Sequence, residues 1–323
     1  VLDDPGVHVA VIWIQLMEAY VDVLAELFGQ VKAQAKKPFV VCWVAAPEAA
    51  LTALRERDIA VLRGAEPAID AVAGLIGYAE ARRRWLADAM PRAELTLPVL
   101  ALPAASGPVG SIEGARLLAQ AGARLAPHAL ASSADEAFAA AGRLGYPVAV
   151  KIESPDILHK TEAQGVKLNL GDPAAVEAAY SSVIAAARTY RADARIDGVL
   201  VQAMSTGDVE FVIGLKRDAV FGIVVMAGLG GVLIEVLKDV AFRRAPVTAC
   251  EAQRMLDQLK GRALLAGVRG KPPVNSARLA QLISAVSRFG AAAGTRLLEL
   301  DLNPVLLTRE DAVAVDWLMV LDA

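Results

Sequence analysis

The hydrophobic periodicity of this chain breaks once, over residues 87–110, and the two sides of the break follow different rules. The break reads ADAMPRAELTLPVLALPAASGPVG and collects Pro, Ala and Gly in place of a repeating apolar pattern. Such a stretch reads as a linker with some extended character. Before it, continuous apolar runs alternate with amphipathic ones. VHVAVIWI at residues 7–14, KPFVVCWVA and IAVLRG have the β-branched content of strands buried on both faces. MEAYVDVLAELFGQVKAQA sets Val21, Leu24, Leu27, Phe28 and Val31 on one side of a helix; EAALTALRERD and AEPAIDAVAGLIGYAEARRRWL are two more. The order βαβαβα predicts a parallel sheet covered by helices. This half has no Gly-rich nucleotide loop and no convergent reactive set, so its expected role is architectural.

Beyond the break the elements are mixed. SIEGARLLAQAGARL and SADEAFAAAGRLG predict helices, the second capped by Ser132 or Ser133 and stopped by Gly145. YPVAVKI, GVKLNL and IDGVLVQAM predict strands, and DPAAVEAAYSSVIAAARTY a helix with Pro173 in its first turn. DVEFVIGLKRD and FGIVVMAGLG form an expected antiparallel pair around RDAV. CEAQRMLDQLKG and SARLAQLISAVSRFGAAAG are helical, and LLELDLNPVLLTREDAVAVDWLMV is two strands joined at Thr308 to Asp311. This half is α+β.

Composition narrows the function classes. A chain of 323 residues holds two or three cores. The net charge is −3 and the basic residues form no stripe, which argues against nucleic acid as a partner. Arg82, Arg83 and Arg84 read as a solvated helix end. The longest apolar stretch, FGIVVMAGLGGVLIEVL, is short and interrupted by glycines and a glutamate, so no membrane span is expected. Cys42 and Cys250 sit in apolar contexts and are expected as buried, reduced thiols of a cytoplasmic protein. Asp3 and Asp4 stand where an export signal would be basic, and the opening VLDDPG without Met reads as entry into the middle of a longer polypeptide.

Four features carry chemistry. Lys151 is expected at the end of an apolar strand, where an ammonium suits a phosphate. The following loop, SPDILHKTEAQGVKL, holds His159, Lys160, Gly165 and Lys167. Gly228, Gly230 and Gly231 permit close backbone approach. Glu299, Asp301 and Asn303 alternate onto one strand face, with Asp316 on the next strand; their oxygens suit Mg²⁺ beside a nucleotide phosphate. Of the other histidines, His8 lies in a strand run and His128 near a helix start, and both read as structural.

The segments GYPVAVKIESPDILHKTEAQGVKLNL, VLVQAM, DVEFVIGLKRDAVFGIVVMAGLGGVLIEVLKDVAFRRAPV, LLAGVRGKPPV and LLELDLNPVLL, in this order, resemble the ATP-grasp part of ADP-forming acyl-CoA synthetases, relatives of succinyl-CoA synthetase. The start of the chain resembles, more weakly, the flavodoxin-like domain that precedes ATP-grasp in fused members. The resemblance implies an α/β chain with a flavodoxin-like domain over 1–86, a linker over 87–108 and an α+β ATP-grasp domain of two subdomains over 109–323. It implies that acyl-CoA, ADP and phosphate interconvert with acid, CoA and ATP through acyl phosphate and phosphohistidine. It further implies that Lys151 binds nucleotide phosphate, that Lys160 helps neutralise its charge, and that Gln202, Ala203 and Met204 flank adenine through backbone groups. By the same resemblance Glu210 binds ribose, Asn303 and Asp316, with Asp301 beside them, hold Mg²⁺, and His159 takes a phosphoryl group.

The pattern departs from the family at Gln164, for the first glycine of GGV, at Ile223 for proline, at Asn275 for aspartate, and in AVDWLM, which replaces the usual DAR so that arginine is absent and Trp317 fills in. A side chain at 164 is expected to crowd or stiffen the loop. The family's CoA-binding Rossmann domain and principal phosphohistidine domain find no match here, so CoA and acyl substrate are expected to enter through another domain or subunit, in an oligomer. Two alternatives stand beside the ligase: a non-catalytic nucleotide sensor of an acetyltransferase-type fusion, and a carboxylate–amine ligase, against which the histidine loop argues.

Overall fold

The computed structural model describes residues 1–87, 95–231, 238–268, 270 and 272–322. Part of the linker (88–94), part of the longest apolar stretch (232–237), and Arg269 and Lys271 of the GVRGKPPV segment lie outside the described residues. The chain forms two compact units, Val1–Met90 and Pro91–Ala323.

In the first unit, strands β1 (Ala10–Ile14), β2 (Phe39–Trp43) and β3 (Val61–Leu62) form a parallel sheet in that order. Helices α1 (Val21–Gln34), α2 (Glu48–Arg55) and α3 (Ala65–Ala87) connect and cover it. One face packs Ile14, Val41 and Trp43 under Ala25, Phe28, Leu51 and Leu54. On the other face Ala68 and Val72 of α3 cover Val40, Cys42 and Leu62. β1 is not buried on both faces as its run of apolar residues predicts: Val11 is 43% and Trp13 55% exposed. Both share the face of Val40 and Cys42, but α3 packs over β2 and β3 and leaves the edge strand open.

Among the described residues the second unit holds two antiparallel sheets. The smaller has order β5-β8-β6-β7, from β5 (His128–Ala131), β6 (Val148–Glu153), β7 (Val166–Leu170) and β8 (Gly198–Ala203). Val148, Val150 and Ile152 point to a core under helices Ala134–Leu144 and Pro173–Tyr190. Local chemistry ends these helices as read: Ser133 accepts from Glu136 N, Gly145 takes φ 85°, and Asp172 caps the helix that opens with Pro173.

The larger sheet runs β11-β10-β9-β12-β14-β4, with β13 also on β12. Its strands are β4 (Gly107–Pro108), β9 (Val209–Asp218), β10 (Gly222–Leu229), β11 (Val240–Arg244), β12 (Leu297–Leu307), β13 (Ala312–Ala314) and β14 (Trp317–Leu321). Helix α4 (Ser111–Gln120) and helices Ala249–Asp257 and Ser276–Ala293 complete the unit. The β9–β10 hairpin forms as predicted.

Four local expectations are corrected. The C-terminal stretch is three strands rather than two, because Val315 and Asp316 leave the ladder between β13 and β14. Lys151 is the fourth residue of six-residue β6, not its end; pairing with β8 extends the strand to Glu153, opposite Gly198. His128 opens β5, not a helix. Cys250 is exposed while Cys42 is buried; it lies in the first turn of its helix, whose buried positions are Glu251, Ala252, Met255 and Leu256. Among the described residues no helix is long and apolar enough to cross a membrane.

Candidate active site

Strand alternation divides β6 between two surroundings. Its odd positions, Ala149, Lys151 and Glu153, face away from the helix-covered core and pair beside Gln202, Leu200 and Gly198 of β8. Leu200 belongs to the core of the larger sheet. This face therefore meets the larger sheet, and Lys151 is carried across at 7% exposure. Its Nζ donates to Val315 O at 2.8 Å and stands 3.6 Å from Asp316 Oδ1. Burial lowers the Lys151 pKa, Asp316 pulls it back up, and the nearby Lys160 lowers it further.

The loop after β6 is a hydrogen-bonded coil. Ala163 N donates to His159 O at 3.3 Å, Gln164 N to Thr161 O at 3.0 Å, and Gly165 N to Lys160 O at 2.8 Å. Gly165 is required by space: a Cβ there would lie 2.5 Å from Ile152 Cγ2. Gln164 takes φ +51°, the left-handed conformation that glycine adopts freely. The departure at this position therefore strains backbone rather than crowding a neighbour. The coil holds Lys160 Nζ 3.8 Å from Asp316 Oδ1.

Across from it stand the acidic residues. His159, Lys160, Glu299, Asp301, Asn303 and Asp316 line one cleft of ≈340 Å³. The β12–β9 register shifts between Leu302 and Val305, and Asn303 N donates to Asp316 O at 3.2 Å. The irregularity sets Asn303 beside Asp316 in place of a regular ladder. Burial, then Glu299, then Asp316 raise the Asp301 pKa to about 6, against a hydrogen bond from Asn303 that lowers it. Asp301 thus sits among like charges, while Asp316 beside it has Lys151 Nζ at 3.6 Å and Lys160 Nζ at 3.8 Å. Hard oxygens from Asp301, Asn303 and Asp316 fit Mg²⁺, which is commonly held by one or two carboxylates together with substrate phosphates. Among the described residues no three His, Cys, Asp or Glu side chains form a metal site by themselves.

The remaining sequence candidates do not line that cleft. Gln202 is 2% exposed, and its Nε2 has no hydrogen-bond partner among the described residues. Ala203 N donates to Pro127 O at 2.9 Å and Met204 N to Pro147 O at 3.1 Å, so both N–H groups are engaged. Glu210 receives Gly230 N on its carbonyl at 2.8 Å, and a Cβ on Gly231 would stand 2.7 Å from Glu210 Oε2. A Cβ on Gly228 would stand 2.7 Å from Asp239 O. These glycines are thus demanded by contacts inside the protein. Asn275 caps its helix by accepting from Arg278 N at 3.0 Å, the role an aspartate would also fill. Sequence reasoning missed Glu153 and Ser111, which are buried together, and Asp239, which accepts from Lys260 N and Gly261 N. The only local signal for Glu153 is a charge on a strand otherwise read as buried.

Two antiparallel sheets meet over a lysine with acidic oxygens opposite, and the chain belongs to the ATP-grasp domain family, whose model matches residues 101–321. Among its relatives is acetate–CoA ligase (ADP-forming) I of Archaeoglobus fulgidus, 41% identical over 67% of this chain and 31% of that protein. The beta subunit of acetate–CoA ligase (ADP-forming) I of Pyrococcus furiosus is 40% identical over 59% of this chain and 82% of that subunit. The structure resembles a dinucleotide-forming acetyl-coenzyme A synthetase 1 of Ca. Korarchaeum cryptofilum, in complex with coenzyme A and Ca-AMPCP. The TM-score is 0.65 at 35% identity, over 67% of this chain and 94% of the other. The chain thus corresponds to the ATP-grasp part of ADP-forming acyl-CoA ligases and spans about a third of the Archaeoglobus relative. These relatives are ligases and give no support to the sensor alternative.

Proposed function

We propose that this chain is the nucleotide half of an ADP-forming acid–CoA ligase, in which His159 carries the phosphoryl group. The observation that carries the reading is one cleft with His159 and Lys160 on one wall and Asp301, Asn303 and Asp316 on the other. In the direction of ATP use, an imidazole nitrogen of His159 forms a bond to the γ-phosphorus while the bond from phosphorus to the β,γ-bridging oxygen breaks, and ADP leaves. The return transfer to ADP reverses these bonds. Phosphoryl transfer asks for alignment and charge neutralisation more than covalent help. Lys151 and Lys160, each near Asp316, supply fixed positive charge beside the transferred group. The coil closed at Gly165 fixes where the imidazole starts. Mg²⁺ held by Asp316, Asn303 and Asp301 would neutralise phosphate oxygens.

In this reading Gln202, Ala203, Met204 and Glu210 take the nucleoside, with Gly228, Gly230 and Gly231 alongside. The flavodoxin-like 1–86 and linker 87–108 join the ATP-grasp domain, 109–323, to the CoA- and acyl-binding parts, on another segment or subunit of a cytoplasmic oligomer. The test incubates the chain with Mg²⁺ and γ-labelled ATP beside His159→Asn. Acid-labile, base-stable label on the wild type alone supports the reading. ATP binding without label would refute the phosphoryl-carrier role, and no binding at all would refute the site.

A further inference from the structure

Beside the cleft lies a second buried polar cluster that phosphoryl transfer itself does not use. Glu153 ends β6, two residues past Lys151 on the same face, and is 7% exposed. Both its oxygens are taken by one residue: Ser111 N donates to Oε1 at 2.6 Å and Ser111 Oγ to Oε2 at 2.5 Å. Ser111 opens α4, so the carboxylate also sits at the positive end of a ten-residue helix. The carbonyl of Ser111 accepts from Trp317 Nε1 at 2.8 Å. Trp317 follows Asp316 directly, is 6% exposed and packs its ring 4.9 Å from that of His128. Gly114 of α4 lies directly against its ring, where a Cβ would be in van der Waals contact with Trp317 Cδ1 at 3.4 Å. One residue of α4 therefore grips both the strand that carries Lys151 and the segment that carries Asp316.

We propose that Glu153, Ser111 and Trp317 form a clasp that sets the separation of Lys151 and Lys160 from Asp316, and so act as positioning residues for the phosphate end of a nucleoside triphosphate. The proposal rests on the nucleotide reading of the cleft. The separations it governs are 3.6 and 3.8 Å. A shift of about 1 Å at either side is enough to misalign transferring groups. Stability alone does not call for such a cluster, because well-packed apolar side chains hold two sheets together as well as a buried charge does.

The test is calorimetric titration of Mg·ATP into the whole chain and into Glu153→Gln and Trp317→Phe, with thermal unfolding of each. Loss of the clasp should raise Kd about tenfold in Glu153→Gln and about threefold in Trp317→Phe, with Tm within about 5 °C of wild type. The effect should pass through Asp316: in an Asp316→Asn background, Glu153→Gln should change Kd by less than about twofold. Variants that bind within twofold of the wild type, or a full additive loss in the Asp316→Asn background, would overturn the clasp and leave the nucleotide site standing. A wild type that does not bind Mg·ATP would overturn both. If Glu153→Gln does not fold, Trp317→Phe, which keeps a buried ring and removes one donor, decides.

Discussion

The two walls of the cleft solve burial in opposite ways. On the histidine wall each cation is answered: Lys151 donates to Val315 O, and both Lys151 and Lys160 approach Asp316. On the acidic wall burial, then Glu299 and Asp316, raise the Asp301 pKa to about 6. The two walls share Asp316, which answers both lysines, whereas Asp301 is left facing carboxylates. In the proposed reading, Asp301 is where a bound cation would gain most, since like charges held together by a fold favour whatever neutralises them.

Lys151 carries the greatest weight. Lys151→Met should weaken ATP binding by at least about a hundredfold, because it removes a buried donor and leaves Asp316 short of a partner. Calorimetry checks this, and binding within tenfold of wild type would count against the phosphate role. Next is the coil. Gly165→Ala drives a Cβ against Ile152 and should cost about 3 kcal/mol of stability, read as a lower urea midpoint.

Asp301 sharpens the comparison from the acidic side. Its folded pKa lies above the unfolded value, so the folded state binds more protons between pH 3.8 and about 6, and stability falls as pH rises through that window. Asp301→Asn carries no charge at any pH. It should raise stability at pH 7.5 by about 2 kcal/mol and flatten the decline, while weakening Mg·ATP binding. A variant less stable than wild type at pH 7.5 would show that Asp301 is not strained by its neighbours. The smallest effect is Gln164→Gly, which relieves the left-handed backbone and should stabilise by about 1 kcal/mol in thermal unfolding, with ATP affinity unchanged.

Much of the architecture was legible because its causes are local. Ser133, Asp172 and Gly145 mark helix ends through bonds within three or four residues. The apolar run of β6 and the glycine after His159 place a strand and a tight coil in order. Other features hid for lack of a local cause. Val11 and Trp13 read as buried because their residues suit a core, but which face a helix covers depends on the packing of α3. Lys151 read as terminal because strand length is set by the partner strand rather than by the run itself.

Periodicity and short-range chemistry made the two-part pattern, the helix ends at Ser133 and Gly145 and the glycine-bearing histidine loop legible before any tertiary contact. The resemblance in its motifs added the family and implied a role for each candidate. Only the tertiary structure decided that Asp316 leaves its ladder beside Asn303, that Lys151 and Lys160 converge on it, and that Ser111 joins Glu153 to Trp317. Ser111 and Trp317 stand 206 positions apart in the chain, and Lys151 and Val315 164. Contacts over such separations form when two sheets, each built from its own local pattern, close on one another, and no window of sequence contains both partners.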